Sequence, residues 1–126
     1  MIRAVGIDIV DIPRIEGICN KWKRRFLEKV YSEREIRYCE SKALPAQHYA
    51  ARFAAKEAFL KCLGIGMGGG VRLKDVEVVN DKKGKPELKI RGKSRKIVSH
   101  DVAKNIHVSI SHTDKNAVAV VVIEEK

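Results

Sequence analysis

Two carboxylates stand out in the sequence because each falls among apolar residues. Glu57 lies within an apolar stripe of a predicted helix, where an ionised carboxylate is costly unless another group compensates it. Lys61 follows one turn later, so a simple i,i+4 ion pair is an alternative to a catalytic role. Asp8 interrupts a predicted strand, where hydrogen bonds to nearby amides are the alternative. Together, a strand aspartate and a helix glutamate suit Mg²⁺, which one or two carboxylates hold with waters and substrate phosphates.

The histidines and a glycine-rich loop are the next candidates. His107 and His112 are five residues apart in a predicted strand, so they face opposite sides and form no metal cluster. His107 shares a polar face with two serines, which fits a hydrogen bond to a ligand phosphate and an ordinary polar strand position alike. The loop at 64–70 lacks the GxxxxGK(S/T) pattern and follows its helix instead of preceding it. We therefore predict a flexible connection there, not a P-loop.

The composition bounds the class of protein. The chain has 126 residues, of which 44% are hydrophobic, so we predict one domain over residues 1–126 and exclude intrinsic disorder. No apolar run approaches the ~20 residues of a membrane span, and no signal peptide is recognisable. The three cysteines form no CxxC pair, which argues against a zinc ribbon and a disulfide framework. We therefore expect reduced thiols in a cytoplasmic protein.

Apolar periodicity predicts the elements that position these residues. Alternation predicts a strand at the start of the chain, with Asp8 on the face opposite Val5, Ile7 and Ile9. Pro45 opens the longest helix, which ends before Gly64 and is apolar on most of its circumference, as expected of a helix that is buried or covered by a partner subunit. A helix over 12–26 would place one apolar stripe in the core: Ile12, Ile15, Cys19, Trp22 and Phe26.

The remaining patterns complete an α+β fold in which the long buried helix packs on a largely antiparallel sheet. Ser32 and Glu35 fit a capping box for a short helix. Residues 76–79 and 87–90 form a predicted hairpin, and residues 93–104 suit a basic helix. Two final strands are predicted at 106–111 and 117–123, the last of them buried on both faces.

The formal net charge of +10 predicts an anionic partner. The run at 82–104 carries nine basic against two acidic residues and is interpreted as a solvated surface. A nucleic-acid-binding module without catalysis is the alternative function, although aromatic residues are only 6% and do not interleave with the basic runs. A second run forms a charged stripe beside an apolar one, which suits docking on an acidic helix with an apolar edge: Arg14, Lys21, Arg24 and Arg25.

Three motifs, in this order, resemble those of one family. They are GIDIV at 6–10, RFAAKEAFLK at 52–61 and HVSISH at 107–112. The chain is similar in these motifs to the 4′-phosphopantetheinyl transferases, and in its length to their short holo-acyl-carrier-protein synthase branch. The resemblance spans almost the whole chain, and the middle motif is the most specific of the three.

The resemblance implies an enzyme that transfers 4′-phosphopantetheine from coenzyme A to a serine of apo acyl carrier protein, releasing adenosine 3′,5′-bisphosphate, in fatty acid biosynthesis. It implies Mg²⁺ as the cofactor, held by Asp8 and Glu57 on the pyrophosphate of coenzyme A. Lys61 would neutralise charge on that pyrophosphate. Glu57, directly or through a water, is the candidate acceptor of the serine proton. Phosphoryl transfer depends on such positioning and charge stabilisation more than on covalent help.

The resemblance also implies a homotrimer with active sites at the subunit interfaces, and neither a nucleic acid nor a membrane as partner. His107 and Arg52 are then expected to bind substrate phosphate across an interface from Asp8 and Glu57. The acidic carrier protein is expected to dock on the basic stripe of Arg14, Lys21, Arg24 and Arg25.

Overall fold

The computed structural model describes residues 1–65 and 69–125. Strand β1 (Ile2–Asp11) leads into four helices: α1 (Ile12–Trp22), α2 (Arg24–Val30), α3 (Glu33–Glu40) and α4 (Pro45–Leu63). A 3-10 turn at Leu73–Asp75 precedes the hairpin of β2 (Val76–Asn80) and β3 (Pro86–Ile90). A 3-10 helix (Gly92–Lys96) and α5 (His100–Ala103) precede β4 (Ile106–His112) and β5 (Asn116–Glu124). This order confirms the α+β class, the long helix, the hairpin and the final pair of strands.

Helix α4 runs through the middle of the fold, and its sequence explains both its bounds and its burial. Pro45 occupies its first turn, and Gly64 ends it at φ 70°, a left-handed conformation that glycine adopts without steric cost. Four alanines, at 50, 54, 55 and 58, are fully buried. Their small side chains let the helix backbone lie close to its neighbours, as a helix that is apolar around its circumference requires.

A three-stranded antiparallel sheet, in the order β1–β5–β4, packs against α4. The register pairs Gly6 with Val121 and Asp8 with Ala119, and these residues share one face of the sheet. On that face the side chains of β5 are buried, whereas those on the other face are half-buried. The prediction that β5 is buried on both faces is therefore correct for one face only within this chain. The outer face also carries three β1 side chains that are more than half exposed: Val5, Ile7 and Ile9.

The predicted helix over 12–26 is wrong in its continuity. The backbone leaves helical geometry at Lys23, where φ is 49°, and the chain restarts as α2 at Arg24. Ile12 and Ile15 are buried as predicted, but Trp22, the last residue before the break, is 47% exposed. The apolar stripe therefore ends before Trp22, whose ring lies on the surface.

The predicted basic helix over 93–104 is also wrong, because two serines divide that segment. The Ser94 hydroxyl donates to Asp75 at 2.8 Å and accepts from the Arg72 amide at 3.1 Å, which ties the first half to the preceding 3-10 turn. Ser99 accepts from the Val102 amide and starts α5 as a separate helix. By contrast, the predicted capping box of α3 is present in full. Of the predicted flexible connection at 64–70, residues 66–68 lie outside the described residues.

A buried ion pair joins α3 to α4, and the apolar pattern gives no sign of it. Glu35 and Lys56 both have 0% exposure, and their charged groups lie 2.7 Å apart. The Lys56 ammonium also donates to the carbonyl oxygens of Leu73 and Val76. These two bonds hold α4 against the 3-10 turn and the start of the β2–β3 hairpin. In the part of the chain that the structure describes, no helix is both long and apolar enough to cross a membrane.

Candidate active site

Strand β1 and helix α4 meet at Gly6, and this contact builds the site. A Cβ atom on Gly6 would overlap the carbonyl oxygen of Ala58 and would lie 3.0 Å from the Cys62 sulfur. Only glycine therefore lets the strand lie this close to the helix. Two residues further along the same strand face, Asp8 is brought against the turn of α4 that carries Glu57 and Lys61.

Asp8 and Glu57 line one cleft of about 230 Å³ between β1, α1 and α4. Between Tyr49 and Leu60 of α4, only Phe53 and Glu57 retain partial exposure, and both border this cleft. Sequence periodicity assigns Phe53 to an apolar stripe without marking it as a cleft wall. The remaining walls come from the end of β1 and from α1 and α2, and those of the two helices include Arg14, Ile18 and Phe26.

Lys61 pairs with Asp8 and not with Glu57. Its ammonium donates to the Asp8 carboxylate at 3.1 Å and to the Ile7 carbonyl oxygen at 2.9 Å. Glu57 forms no hydrogen bond or ion pair within residues 1–65 and 69–125. The i,i+4 pair that could have explained Glu57 structurally is therefore not formed in the folded chain.

The surroundings of the cleft change the pKa of Glu57. Partial burial raises the pKa of the Glu57 carboxyl, the negative charge of Asp8 raises it further, and Lys61 lowers it. The ionised form of Glu57 is thus disfavoured in the chain by itself. A cation bound between the two carboxylates would reverse this effect, because it would favour both ionised forms.

The donor set in the cleft fits a hard divalent cation. No group of three or more His, Cys, Asp or Glu side chains is placed to hold a metal ion anywhere in the described ranges, 1–65 and 69–125. Two carboxylates in one cleft nevertheless match the way Mg²⁺ is bound, since its other ligands are waters and substrate phosphates. Among the described residues, no cation lies within ion-pair distance of Glu57, so Glu57 is the group that such an ion would neutralise.

Arg52 and His107 are not brought to this cleft within one chain. Arg52 is only 5% exposed, its guanidinium lies 4.0 Å from the centre of the Tyr38 ring, and it donates to the Asn80 side chain at 2.7 Å. These contacts assign it a structural role in the chain. His107 lies on the outer face of the sheet, opposite Val122, and its Nε2 is 2.6 Å from Glu124.

The predicted basic stripe is divided between two helices. Arg14 and Lys21 lie on α1, whereas Arg24 and Arg25 lie beyond the break, on α2. Arg24 is bound by Glu28 at 3.2 Å and by Glu33 at 2.7 Å, so its charge is largely compensated by its own chain.

We expect Gly6→Ala to lower the free energy of unfolding by about 1–3 kcal/mol or more, because its Cβ has no space against α4. It should also reduce activity, since the strand that carries Asp8 must shift. Gly17→Ala is the matched control, because a Cβ there contacts nothing within 4 Å and alanine favours the helix. Urea unfolding of both variants measures the difference, and equal stabilities would contradict the close packing.

Comparison with known proteins gives a consistent picture. A sequence model of the 4′-phosphopantetheinyl transferase superfamily matches residues 4–121. The holo-[acyl-carrier-protein] synthase of Syntrophus aciditrophicus is 52% identical over 98% of this chain and 97% of that protein. The structure of a Bacillus anthracis holo-(acyl-carrier-protein) synthase in complex with CoA (3′,5′-ADP) has a TM-score of 0.81 at 36% identity, covering 100% of this chain and 99% of that one. A Helicobacter pylori synthase in complex with coenzyme A has a TM-score of 0.80 at 33% identity, covering 95% and 99%.

The antiparallel sheet and the long buried helix are therefore those of a known enzyme class. The chain belongs to the 4′-phosphopantetheinyl transferase superfamily. Its similarity over the full length of named relatives makes it an enzyme of the holo-[acyl-carrier-protein] synthase type, as the sequence motifs predict. The alternative of a nucleic-acid-binding module without catalysis finds no support among these relatives.

Proposed function

We propose that this enzyme transfers 4′-phosphopantetheine from coenzyme A to a serine of apo acyl carrier protein, with adenosine 3′,5′-bisphosphate as the second product, for fatty acid biosynthesis. The observation that carries the proposal is the pair of carboxylates, Asp8 and Glu57, that line one cleft, with Lys61 bound to Asp8. Two solved relatives that bind coenzyme A support the donor substrate.

Asp8 and Glu57 would hold Mg²⁺ in this cleft. When bound, the ion neutralises charge on the pyrophosphate of coenzyme A and orients it. One phosphate of this pyrophosphate is transferred and the other leaves. The support is the donor set itself: two carboxylates, of which one has a pKa raised by burial and by the other. Hard oxygen ligands of this kind, in this number, are what Mg²⁺ takes from a protein.

The remaining steps belong to the side chains of the cleft. The Lys61 ammonium, which is mostly exposed beside Asp8, is available to neutralise the charge that develops on the leaving phosphate. The Glu57 carboxylate lines the cleft and would accept the proton of the serine hydroxyl, directly or through a water.

The direct test is to incubate the enzyme with coenzyme A, Mg²⁺ and an apo acyl carrier protein, and to weigh the carrier protein. We expect its mass to increase by one phosphopantetheine group, and no increase when a chelator removes the metal. A competent carrier protein that gains no mass with a folded enzyme would disprove the proposed function.

We also propose a homotrimer. The outer face of the sheet supports it, because Val5, Ile7 and Ile9 are each more than half exposed there, beside half-buried valines of β5. An apolar face of this kind is typical of a subunit interface. His107 lies on the same outer face, so a neighbouring subunit would bring it towards another copy's substrate. A cytoplasmic location is consistent with three free cysteines.

Val120→Lys should separate the subunits, because Val120 lies at the centre of that outer face, between Ile7 and Ser109. Its charge would have to be buried in the interface, which costs several kcal/mol. We expect light scattering to give three times the chain mass for the native protein and one chain mass for the variant, with reduced activity. Ile97→Lys, on an exposed residue away from the sheet, is the control and should leave the mass unchanged.

A further inference from the structure

The exposed tryptophan at the end of α1 is the feature that the catalytic site leaves unexplained. Trp22 is 47% exposed, although tryptophan is a large apolar residue that a folded chain normally covers. The Lys21 ammonium lies 5.2 Å from the centre of its ring and the Arg25 guanidinium 5.9 Å. Unlike Arg24, these two cations form no ion pair within the described residues. The surface at Trp22 is therefore an apolar ring between two uncompensated positive charges.

This surface continues into the active-site cleft along one side of α1. Arg14, Ile18 and Trp22 are spaced by four residues, so they follow one another along the same helical face. Arg14 and Ile18 line the cleft that contains Asp8 and Glu57. Trp22 follows Arg14 by eight positions, which corresponds to about 12 Å along the helix at 1.5 Å per residue. A partner with one residue in the cleft would thus reach Trp22 about two turns away.

We propose that Trp22 is the apolar anchor of the surface on which the acyl carrier protein docks, and that it sets the affinity for this substrate. This inference rests on the proposed function, which brings the carrier's serine into the cleft. The partner is then an acidic helix with an apolar side chain about two turns from that serine. Its carboxylates complement Lys21 and Arg25, and its apolar side chain covers the indole ring.

The type of residue and its surroundings explain why the affinity would depend on Trp22 more than on its charged neighbours. Tryptophan is among the residues that contribute most to protein interfaces, where it loses water-exposed apolar area at little cost in side-chain entropy. Lys21 and Arg25 remain at the wet rim, where charges mainly accelerate encounter and are screened by salt. The two contributions can therefore be separated by ionic strength.

Trp22 is the single tryptophan of the chain, so its fluorescence reports on its own environment. We would titrate the enzyme with an apo acyl carrier protein that lacks tryptophan, without coenzyme A and with a chelator present, so that no transfer occurs. The expected result is an emission shift to shorter wavelength that saturates with the carrier protein. A shift that depends on the enzyme concentration alone would indicate contact between copies of this chain and would overturn the proposal.

Steady-state kinetics provide the second readout. Trp22→Ala should raise KM for the carrier protein about 30-fold, and leave kcat and KM for coenzyme A within about twofold. The increase in KM caused by Trp22→Ala should be the same at low and high salt. The increase in KM caused by the double variant Lys21→Ala, Arg25→Ala should become smaller as salt is added. Trp22→Phe should restore most of the affinity. Ile97→Ala is the matched control, because Ile97 is also apolar, 50% exposed and next to basic residues, but lies elsewhere on the surface.

The outcomes separate this inference from the proposed function. Transfer with an unchanged KM in Trp22→Ala and no emission shift would overturn the docking role and leave the function intact. An emission shift without transfer by the native enzyme would support docking and disprove the function. If the native enzyme shows neither an emission shift nor transfer, both the docking role of Trp22 and the proposed function are overturned.

Discussion

Glu57→Gln is expected to reduce turnover by about 10²–10³-fold while the protein stays folded. Glutamine has the size and shape of glutamate but cannot carry the negative charge that a divalent cation or a serine proton requires. The reduction should appear in kcat, with KM for the carrier protein nearly unchanged, because Glu57 lies in the cleft and not on the exposed surface of α1. Glu87→Gln, on an exposed strand residue, is the matched control and should keep full activity.

We also predict how Glu57→Gln changes the free energy of unfolding, and the direction of the change follows from the pKa of Glu57. Burial and Asp8 raise that pKa in the folded chain, so the folded protein without metal retains the Glu57 proton more readily than the unfolded protein does. Stability is therefore lost as the pH rises through the folded pKa, above the unfolded value of about 4.3. Without metal, Glu57→Gln should be at least as stable as the native protein at pH 7, and this advantage should vanish below about pH 4.

Urea unfolding with a chelator, at pH 7 and at pH 4, measures this difference. Calorimetry should also detect a divalent cation bound by the native protein and much weaker binding by Glu57→Gln. A variant that loses stability at pH 7 would mean that ionised Glu57 supports the fold, and near-normal turnover would remove Glu57 from the catalytic site.

The site could be predicted from the sequence where it depends on local patterns. Alternation places Asp8 on a strand face with Gly6, and the Pro45 and Gly64 boundaries fix the helix that carries Glu57. The partner of Lys61 could not be predicted, because it depends on how closely β1 approaches α4. That distance is set by the missing Cβ of Gly6. Helical spacing alone favours Glu57 as the partner of Lys61, whereas in the folded chain Lys61 pairs with Asp8.

The failures elsewhere have the same physical origin, which is that periodicity describes one element at a time. Trp22 fits the apolar stripe of a continuous helix, but a single backbone break at Lys23 leaves it on the surface. Arg52 and Lys56 lie in the same motif as Glu57, yet both are buried by contacts with residues far away in sequence. No pattern within α4 reveals that Glu35 of α3 will compensate Lys56.

Glu35→Gln should produce the largest loss of stability, about 3–5 kcal/mol, because it removes the only carboxylate bound to the Lys56 ammonium in the described part of the chain. One Glu35 oxygen also accepts from the Ser32 amide at 2.9 Å and the other from the Val78 amide at 3.0 Å, so the residue holds three elements together. Burial lowers the pKa of Lys56, and Glu35 opposes this effect. Without the carboxylate, the ammonium must therefore stay buried and uncompensated or lose its proton.

Lys56→Met should cost less than Glu35→Gln, because Glu35 has a second cation within reach. The Arg52 Nε lies 3.9 Å from Glu35 and is buried without a hydrogen-bond partner among the described residues, so a small movement would close the pair. Urea unfolding of the two variants and of the double variant measures the difference, and the single costs should not add because the groups are in contact. Equal costs for the two single variants would contradict the role of Arg52. At low temperature, where the variants stay folded, both should have the kcat of the native enzyme, since neither side chain lines the cleft. Glu57→Gln, by contrast, should lose kcat while it stays folded.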